Sequence, residues 1–314
     1  MARKLTVAEL FAAQREILDL EWVCGDAARI IASPKENVSP ADIVGHLNVI
    51  HPERIQVFGA PEFDWTLEQE AEKLRRSLRD IVTGQCPGVI VADGCPVPQV
   101  LREECEAANT PLITSPQSAA LVIDALRGHL SRTFAETISL HGVFMDVLGT
   151  GVLLTGDSGV GKSELALELI TRGHGLVADD VVEVSRIAAE VLEGRCPDLL
   201  KDFIEVRGLG LLNIRTVFGE TACRRRMRLR LITHLQRPQV GVPQAARLPL
   251  DAQNETILGV PVRKVTIPVA AGRNLAVLVE TAVRATILQL RGIDCMQEFL
   301  DRQQKALEEG LGED

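Results

Sequence analysis

Residues 151–180 read GVLLTGDSGVGKSELALELITRGHGLVADD, and this stretch decides the fold. An apolar strand-like run ends in GDSGVGKS, residues 156–163, which satisfies G-x-x-x-x-G-K-[ST] at every fixed position. Glycines at 156, 159 and 161 admit backbone conformations that a Cβ would forbid. The amides so freed join the N-terminus of the following amphipathic helix to make an anion site. Gly156, Asp157, Ser158, Gly159, Val160, Gly161, Lys162 and Ser163 therefore form the expected nucleotide loop. Lys162 supplies a point charge to the outer phosphates, and the Ser163 hydroxyl is offered to Mg²⁺.

Working outward, GLVADD (175–180) is an apolar run ending in two acids, Asp179 and Asp180. In common P-loop enzymes such a run ends in one acid that helps hold magnesium. With two, one can serve metal and the other proton transfer; the spacing does not say which. Upstream, HGVFMDVLGTGVLLTG places apolar runs either side of Gly149-Thr150-Gly151. That reads as a hairpin, with His141 at its start and its second strand feeding the loop. An antiparallel entry departs from the usual βαβ nucleotide unit. Downstream, FIEVRGLGLLNIRTVFG (203–219) sets Glu205 and Arg207 before two glycines around one leucine. Glu205 is a candidate metal ligand and Arg207 a candidate bidentate phosphate contact. RRRMRLRL (224–231) alternates basic and apolar residues, a strand with one basic face. Arg273, in AAGRN before a long apolar helix, is a candidate anion ligand.

The first ~130 residues repeat a strand–helix rhythm, as in a small α/β layer structure. RIQVFG (54–59), PGVIVADG (87–94) and PLITSP (111–116) read as strands; residues 66–80, capped by Asp64 or Thr66, residues 97–108 and residues 118–132 read as helices. No catalytic constellation stands out there, and His46, His51 and His129 read as surface or capping residues. A boundary near residue 131 gives an N-terminal α/β domain, 1–131, and a catalytic domain, 132–314. The formal net charge of −9 argues against nucleic-acid binding. No apolar run approaches the ~18 residues of a membrane span, and the acid-bearing first twenty residues do not read as an export signal. The seven scattered cysteines contain no CxxC, which points to a reducing cytoplasm.

Taken in order, HGVFMDVLGTGVLLTGDSGVGKSELALELITRGHGLVADD, IEVRGLGLLNIRTVFG and GRNLAVLVE resemble the HPr kinase/phosphorylase family of bacteria. The likeness is close over roughly residues 133–292 and looser over the N-terminal domain. It implies a P-loop catalytic domain similar in fold to phosphoenolpyruvate carboxykinase. It implies a cytoplasmic, homohexameric enzyme that phosphorylates a serine of HPr, the phosphocarrier of the sugar phosphotransferase system, with ATP or pyrophosphate and Mg²⁺. The reverse activity removes that phosphate by attack of inorganic phosphate, giving pyrophosphate. By the resemblance, His141, Lys162, Asp180 and Arg247 match catalytic positions, and Ser163 and Glu205 match magnesium ligands. Glu205, Arg207, Gly208, Gly210 and Asn213 belong to the family signature; the resemblance assigns Asp179 no fixed role, and a metal or supporting one stays open. Pro268, Val269, Ala270, Ala271, Gly272 and Arg273 match the segment tied to dephosphorylation, with Ala270 and Ala271 where the family commonly has arginine and proline. Arg247 lies in AARLPL, where the family often has an aromatic–acidic pair before the arginine.

On this reading Asp180 takes the proton of the attacking serine and returns one in reverse, with His141 as a hydrogen-bonding neighbour. Two rivals share the loop: a small-metabolite kinase, and a non-catalytic ATP-binding regulatory module.

Overall fold

The computed structural model describes residues 4–31, 40–237, 253–270 and 272–310. The chain divides into two compact units, Met1–Ala135 and Glu136–Asp314.

In the first unit the elements run β1 (Leu5–Thr6), α1 (Val7–Leu18), β2 (Glu21–Cys24), β3 (Ile30–Ile31), β4 (Val44–His46), β5 (Ile55–Phe58), α2 (Ala60–Glu68), α3 (Ala71–Thr83), β6 (Val89–Val91), α4 (Gln99–Ala107), β7 (Leu112–Thr114) and α5 (Ala119–Thr133). Strands β4 to β7 are parallel, and β2 closes one edge antiparallel to β7. Side chains alternate across a strand, so Ile55, Val57 and Ile90 pack with α1 and α5, whereas Phe58, Val89 and Val91 pack with α3 and α4. Both faces are covered, which is why these short strands read as continuous apolar runs.

The single helix expected over 66–80 is two helices. Gln69 and Glu70 are extended, with ψ of 147° and 138°. Thr66 caps nothing; inside α2, its hydroxyl donates to the Phe63 carbonyl at 2.7 Å. The real start lies at the end of β5, where the Glu62 carboxylate accepts from the Gly59 amide at 2.9 Å and Asp93 accepts from Ala60 at 2.8 Å. His46 is exposed and His51 half-buried, beside Glu62 and Glu53 respectively. His129 instead meets Gln14 at 3.1 Å, joining α5 to α1.

The second unit runs β8 (Glu136–His141), β9 (Val143–Val147), β10 (Thr150–Gly156), α6 (Lys162–Thr171), β11 (Gly175–Ala178), β12 (Val181–Ala188), β13 (Val191–Arg195), β14 (Phe203–Val206), β15 (Gly210–Asn213), α7 (Ile214–Phe218), β16 (Arg226–Gln236), β17 (Gln253–Ile257), β18 (Val260–Pro268), α8 (Leu275–Leu290) and α9 (Cys295–Gly310). The main sheet has the order β11-β9-β10-β16-β13-β12-β8, with β18 also on β16 and β17 on β18. Strand β10 is antiparallel to β9 and parallel to β16. Val143, Met145, Val152 and Leu154 face α6 and α8, where Leu165, Leu169, Val279 and Val283 complete one core. Phe144, Leu153 and Ile232 face the other way, against Val182, Val184 and Leu192.

The expected hairpin is present as β9–β10, with two refinements. Its turn is Leu148-Gly149, both at positive φ (54° and 77°), the pattern of a type I′ turn. Gly151 lies in the strand, where a Cβ would sit 2.2 Å from the Arg228 carbonyl oxygen of β16. His141 is not part of that hairpin. It ends β8, whose partner is β12, in register with Val181.

Candidate active site

The loop between β10 and α6 carries the site. Gly156, Gly159 and Gly161 have φ of 141°, 69° and 105°. A Cβ on Gly156 would come within 2.4 Å of the Leu235 carbonyl of β16, so this entry glycine is required by packing as well as by its dihedral. Gly161 sits at the N-cap of α6 and no side chain caps that end. The first-turn amides are thus left to an external acceptor. Lys162 is buried, and its ammonium donates to the Gly156 and Asp157 carbonyls at 2.9 and 3.2 Å. Val160 faces the core rather than the loop's interior.

Two acids follow β11 and differ sharply. Asp179 is buried; its carboxylate accepts from the Ser163 hydroxyl at 3.3 Å and from the Glu205 amide at 2.9 Å. Burial pushes the Asp179 carboxyl up, opposed by those two hydrogen bonds. Asp180 is exposed and adopts φ of 67°, which turns its side chain away from its neighbour's. Its carboxylate lies 3.0 Å from His141 Nδ1, and its carbonyl accepts from the Gly142 amide at 3.1 Å. The β8–β12 pairing therefore brings His141 to Asp180 across a long stretch of chain. One carboxylate is tied into the loop and the β14 backbone, and the other is presented to solvent.

The β14–β15 hairpin supplies the far wall, its tight turn using Gly208 and Gly210 at φ of 86° and 79°. The resulting cleft, about 490 Å³, is lined by His141, Ser158, Gly159, Gly161, Lys162, Ser163, Glu164, Asp179, Asp180, Glu205, Val206, Arg207, Gly208 and Gly210. The loop glycines, the lysine and both acids thus converge with Glu205 and Arg207. Asn213 does not join them; it caps α7, accepting from the Thr216 amide at 2.9 Å. None of the described residues of the 268–273 segment lines the cleft. Pro268 ends β18 opposite Gln236, the Val269 amide donates to the Gln236 carbonyl at 2.8 Å, and Arg273 closes a turn onto Ala270. Arg247 and Ala271 lie outside the described residues.

Among the described residues no group of three or more His, Cys, Asp or Glu is arranged to hold a metal ion. Ser163, Asp179, Asp180 and Glu205 offer only oxygen donors, two of them already linked through Asp179. Such a partial oxygen set suits Mg²⁺, which keeps several waters and is completed by substrate phosphates. Sequence reasoning missed Arg237, whose guanidinium donates to the Gly159 carbonyl at the loop's apex. An arginine after an apolar strand gives no local signal of that contact. No helix among the described residues is long and apolar enough to cross a membrane.

Residues 132–303 match the family model of the HPr Serine kinase C-terminal domain, and residues 5–130 that of the HPr Serine kinase N terminus. The chain is 59% identical over 312 residues to the HPr kinase/phosphorylase of Aromatoleum aromaticum, covering 99% of this chain and 100% of that one. Its identity to the HPr kinase/phosphorylase of Bordetella avium is 52% over 303 residues, covering 96% and 98%. A solved Hpr(Ser) kinase/phosphatase from Coxiella burnetii, 35% identical, covers 52% of this chain and 98% of its own with a TM-score of 0.47. With both halves matched in order and relatives this similar end to end, the chain belongs to the HPr kinase/phosphorylase family.

Proposed function

We propose that this protein transfers phosphate to and from a serine of HPr, using Asp180 as its proton-transfer group and the loop around Lys162 as its phosphate cradle. The observation that carries the reading is the single cleft in which an uncapped helix N-terminus, Lys162, the His141–Asp180 pair and Glu205 face one another. In the forward direction the serine oxygen attacks the terminal phosphorus of ATP or pyrophosphate. The bond from that phosphorus to the leaving group breaks, releasing ADP from ATP or phosphate from pyrophosphate, and the serine proton passes to Asp180. In reverse, an oxygen of inorganic phosphate attacks the phosphoserine phosphorus. The serine oxygen leaves with a proton from Asp180, and pyrophosphate forms. Lys162, Arg207 and the loop amides stabilise charge on the transferred group, with Arg247 assigned the same task by family likeness. His141 orients the Asp180 carboxylate. Ser163, Glu205 and Asp179 would hold Mg²⁺, which when bound offsets phosphate charge.

Arg273 and its segment are assigned to the phosphate-dependent direction. The antiparallel entry of β10 favours a phosphoenolpyruvate carboxykinase-like P-loop fold. Cytoplasmic residence, homohexameric assembly and control of carbon use through the phosphotransferase system accompany this reading. The test is to mix the protein with HPr, Mg²⁺ and γ-labelled ATP, and to look for acid-stable phosphoserine. Adding inorganic phosphate to the product should then yield labelled pyrophosphate. Tight nucleotide binding with no transfer to HPr would overturn the proposal.

A further inference from the structure

We propose that Arg237 is a positioning residue for the phosphoryl donor, acting as an external latch on the apex of the nucleotide loop. The proposal rests on the reading of that loop as the donor site. Arg237 follows directly on β16, whose Leu235 is in register with Gly156, the loop's first glycine. Its exposed guanidinium donates to the Gly159 carbonyl from outside the loop. A Cβ placed on Gly159 would lie 3.5 Å from an Arg237 nitrogen and 3.8 Å from one of Arg207, so guanidinium groups lie close to this apex peptide.

The contact matters because of what a peptide unit does. The carbonyl of Gly159 and the amide of Val160 belong to one plane and point in opposite directions. Turning the carbonyl outward to Arg237 fixes the amide inward, where Val160 donates to the Asp157 carbonyl at 3.2 Å. A phosphate cradle works only while its amides face the anion. Gly159, at φ of 69° and without a side chain, lowers the resistance to turning that peptide. Lys162 stays inside the loop on two other carbonyls, and the described contacts give it none to Gly159. The apex peptide is therefore held at both ends, its carbonyl by Arg237 and its amide by the Asp157 carbonyl, and Arg237 is the side-chain contact of the two. The same strand end meets the 268–273 segment on its other side, through Val269 and Gln236. Arg237 accordingly stands where the loop and that segment share one strand.

A latch of this kind pre-orders the cradle before the donor arrives, so it sets donor affinity more than the rate of the chemical step. The experiment is calorimetric titration of ADP into wild type, R237A and R237K, together with steady-state kinetics in ATP. For R237A the ADP Kd and the ATP KM should both rise about tenfold, the scale of one charge-assisted hydrogen bond. Its kcat should stay within about threefold of wild type and its melting temperature should not change, because the side chain is exposed. R237K, which keeps a cationic donor, should recover most of the affinity. ADP binding by R237A as tight as wild type would overturn the latch, and so would a loss confined to kcat. A wild-type protein that binds no nucleotide would instead remove the donor-site reading itself.

Discussion

Each unit of this protein ends a buried strand in a carboxylate close to a glycine, and the two do opposite things. In the N-terminal unit Asp93 follows β6. Its two oxygens accept from Ala60 at the start of α2 (2.8 Å) and from Ala119 at the start of α5 (3.0 Å). Gly59 is needed for that approach, since a Cβ there would lie 2.5 Å from the carboxylate. Two helix N-termini are thus filled by the protein's own anion. In the C-terminal unit α6 begins with Gly161 and no side-chain cap, while its two nearby acids turn to Ser163, Glu205 and His141. The same electrostatic resource, a helix N-terminus, is used internally at α2 and α5 and left open at α6. An uncapped helix end alone does not mark a binding site, since α3 and α4 also begin without a side-chain cap; α6 is set apart by the positive-φ glycines that lead into it and by Lys162 beside it.

The strongest way to break this contrast is at Lys162. Lys162→Ala should cut phosphoryl transfer by ~10³-fold or more while leaving the circular dichroism spectrum unchanged, because its side-chain hydrogen bonds reach only loop carbonyls. An active, folded variant would show that the open helix end is not the phosphate site.

Next come the paired acids. Asp180→Asn should retain ATP binding and lose transfer by ~10²-fold or more, as for a general base. Asp179→Asn should chiefly raise the Mg²⁺ concentration needed for half-maximal rate, by about tenfold, the scale of a lost supporting contact to a metal site. Magnesium titrations of the two variants separate these outcomes; identical profiles would erase the distinction between the buried and the exposed acid.

Asp93→Ala tests the closed side. Losing two capping bonds should cost about 2 kcal/mol in urea unfolding, with kcat and donor KM unaltered. Asp93→Asn should cost less, since it keeps an acceptor and tolerates the φ of 57° found there. Stability untouched by Asp93→Ala would mean the helix ends do not need that carboxylate.

The smallest effect concerns the far end of α6. Just beyond it, Arg172 grips Glu280 of α8 through two bonds of 2.8 and 3.0 Å, and His174 adds a third at 3.0 Å. Arg172, then His174, hold the Glu280 carboxyl down to about 2 from an ordinary 4.5. Because the folded value is lower, the charged form is the one stabilised. The contribution is complete above pH 4.5 and fades as pH falls toward about 2. Glu280→Gln should lower stability by about 1–2 kcal/mol near neutrality. The gap in Tm from wild type should close on acidification across that window. A gap independent of pH would mean that the charge is not what joins the helices.

How much of this was legible in the sequence follows from how far apart the partners lie in the chain. Strand, loop, lysine and helix between residues 151 and 171 could be read because each is specified by its neighbours. So could the antiparallel hairpin, although its turn fell at Leu148-Gly149 rather than on the later glycine, whose task is to let β16 pass. The meeting of His141 with Asp180 was expected only through the family resemblance, because it depends on β8 pairing with β12 and spacing alone does not encode a register. Arg237 and Asp93 were invisible for the same reason: each acts on backbone groups remote in sequence. The fused reading of α2 and α3 arose differently. The charged run continues without a breaker, and the start of α2 is set by tertiary capping at Gly59.

The parallel pairing of residues 151–156 with residues 229–235 has a consequence for the order in which the protein is made. Translation delivers the loop, its lysine and both aspartates well before the strand that flanks them. Until β16 is threaded in, β10 has a neighbour on one side only, and its apolar edge is open to wrong partners. The carbonyl of Leu235 that makes Gly156 necessary is also absent. Bringing β16 into place means closing a long chain loop between strands that run parallel, the kind of step that slows folding and prolongs exposure. The part of the molecule that is most local as text is thus not an object until β16 arrives, and nascent chains stalled before residue 226 would fall to chaperones or proteases carrying the nucleotide loop, both aspartates and Glu205 but no completed place to put a phosphate.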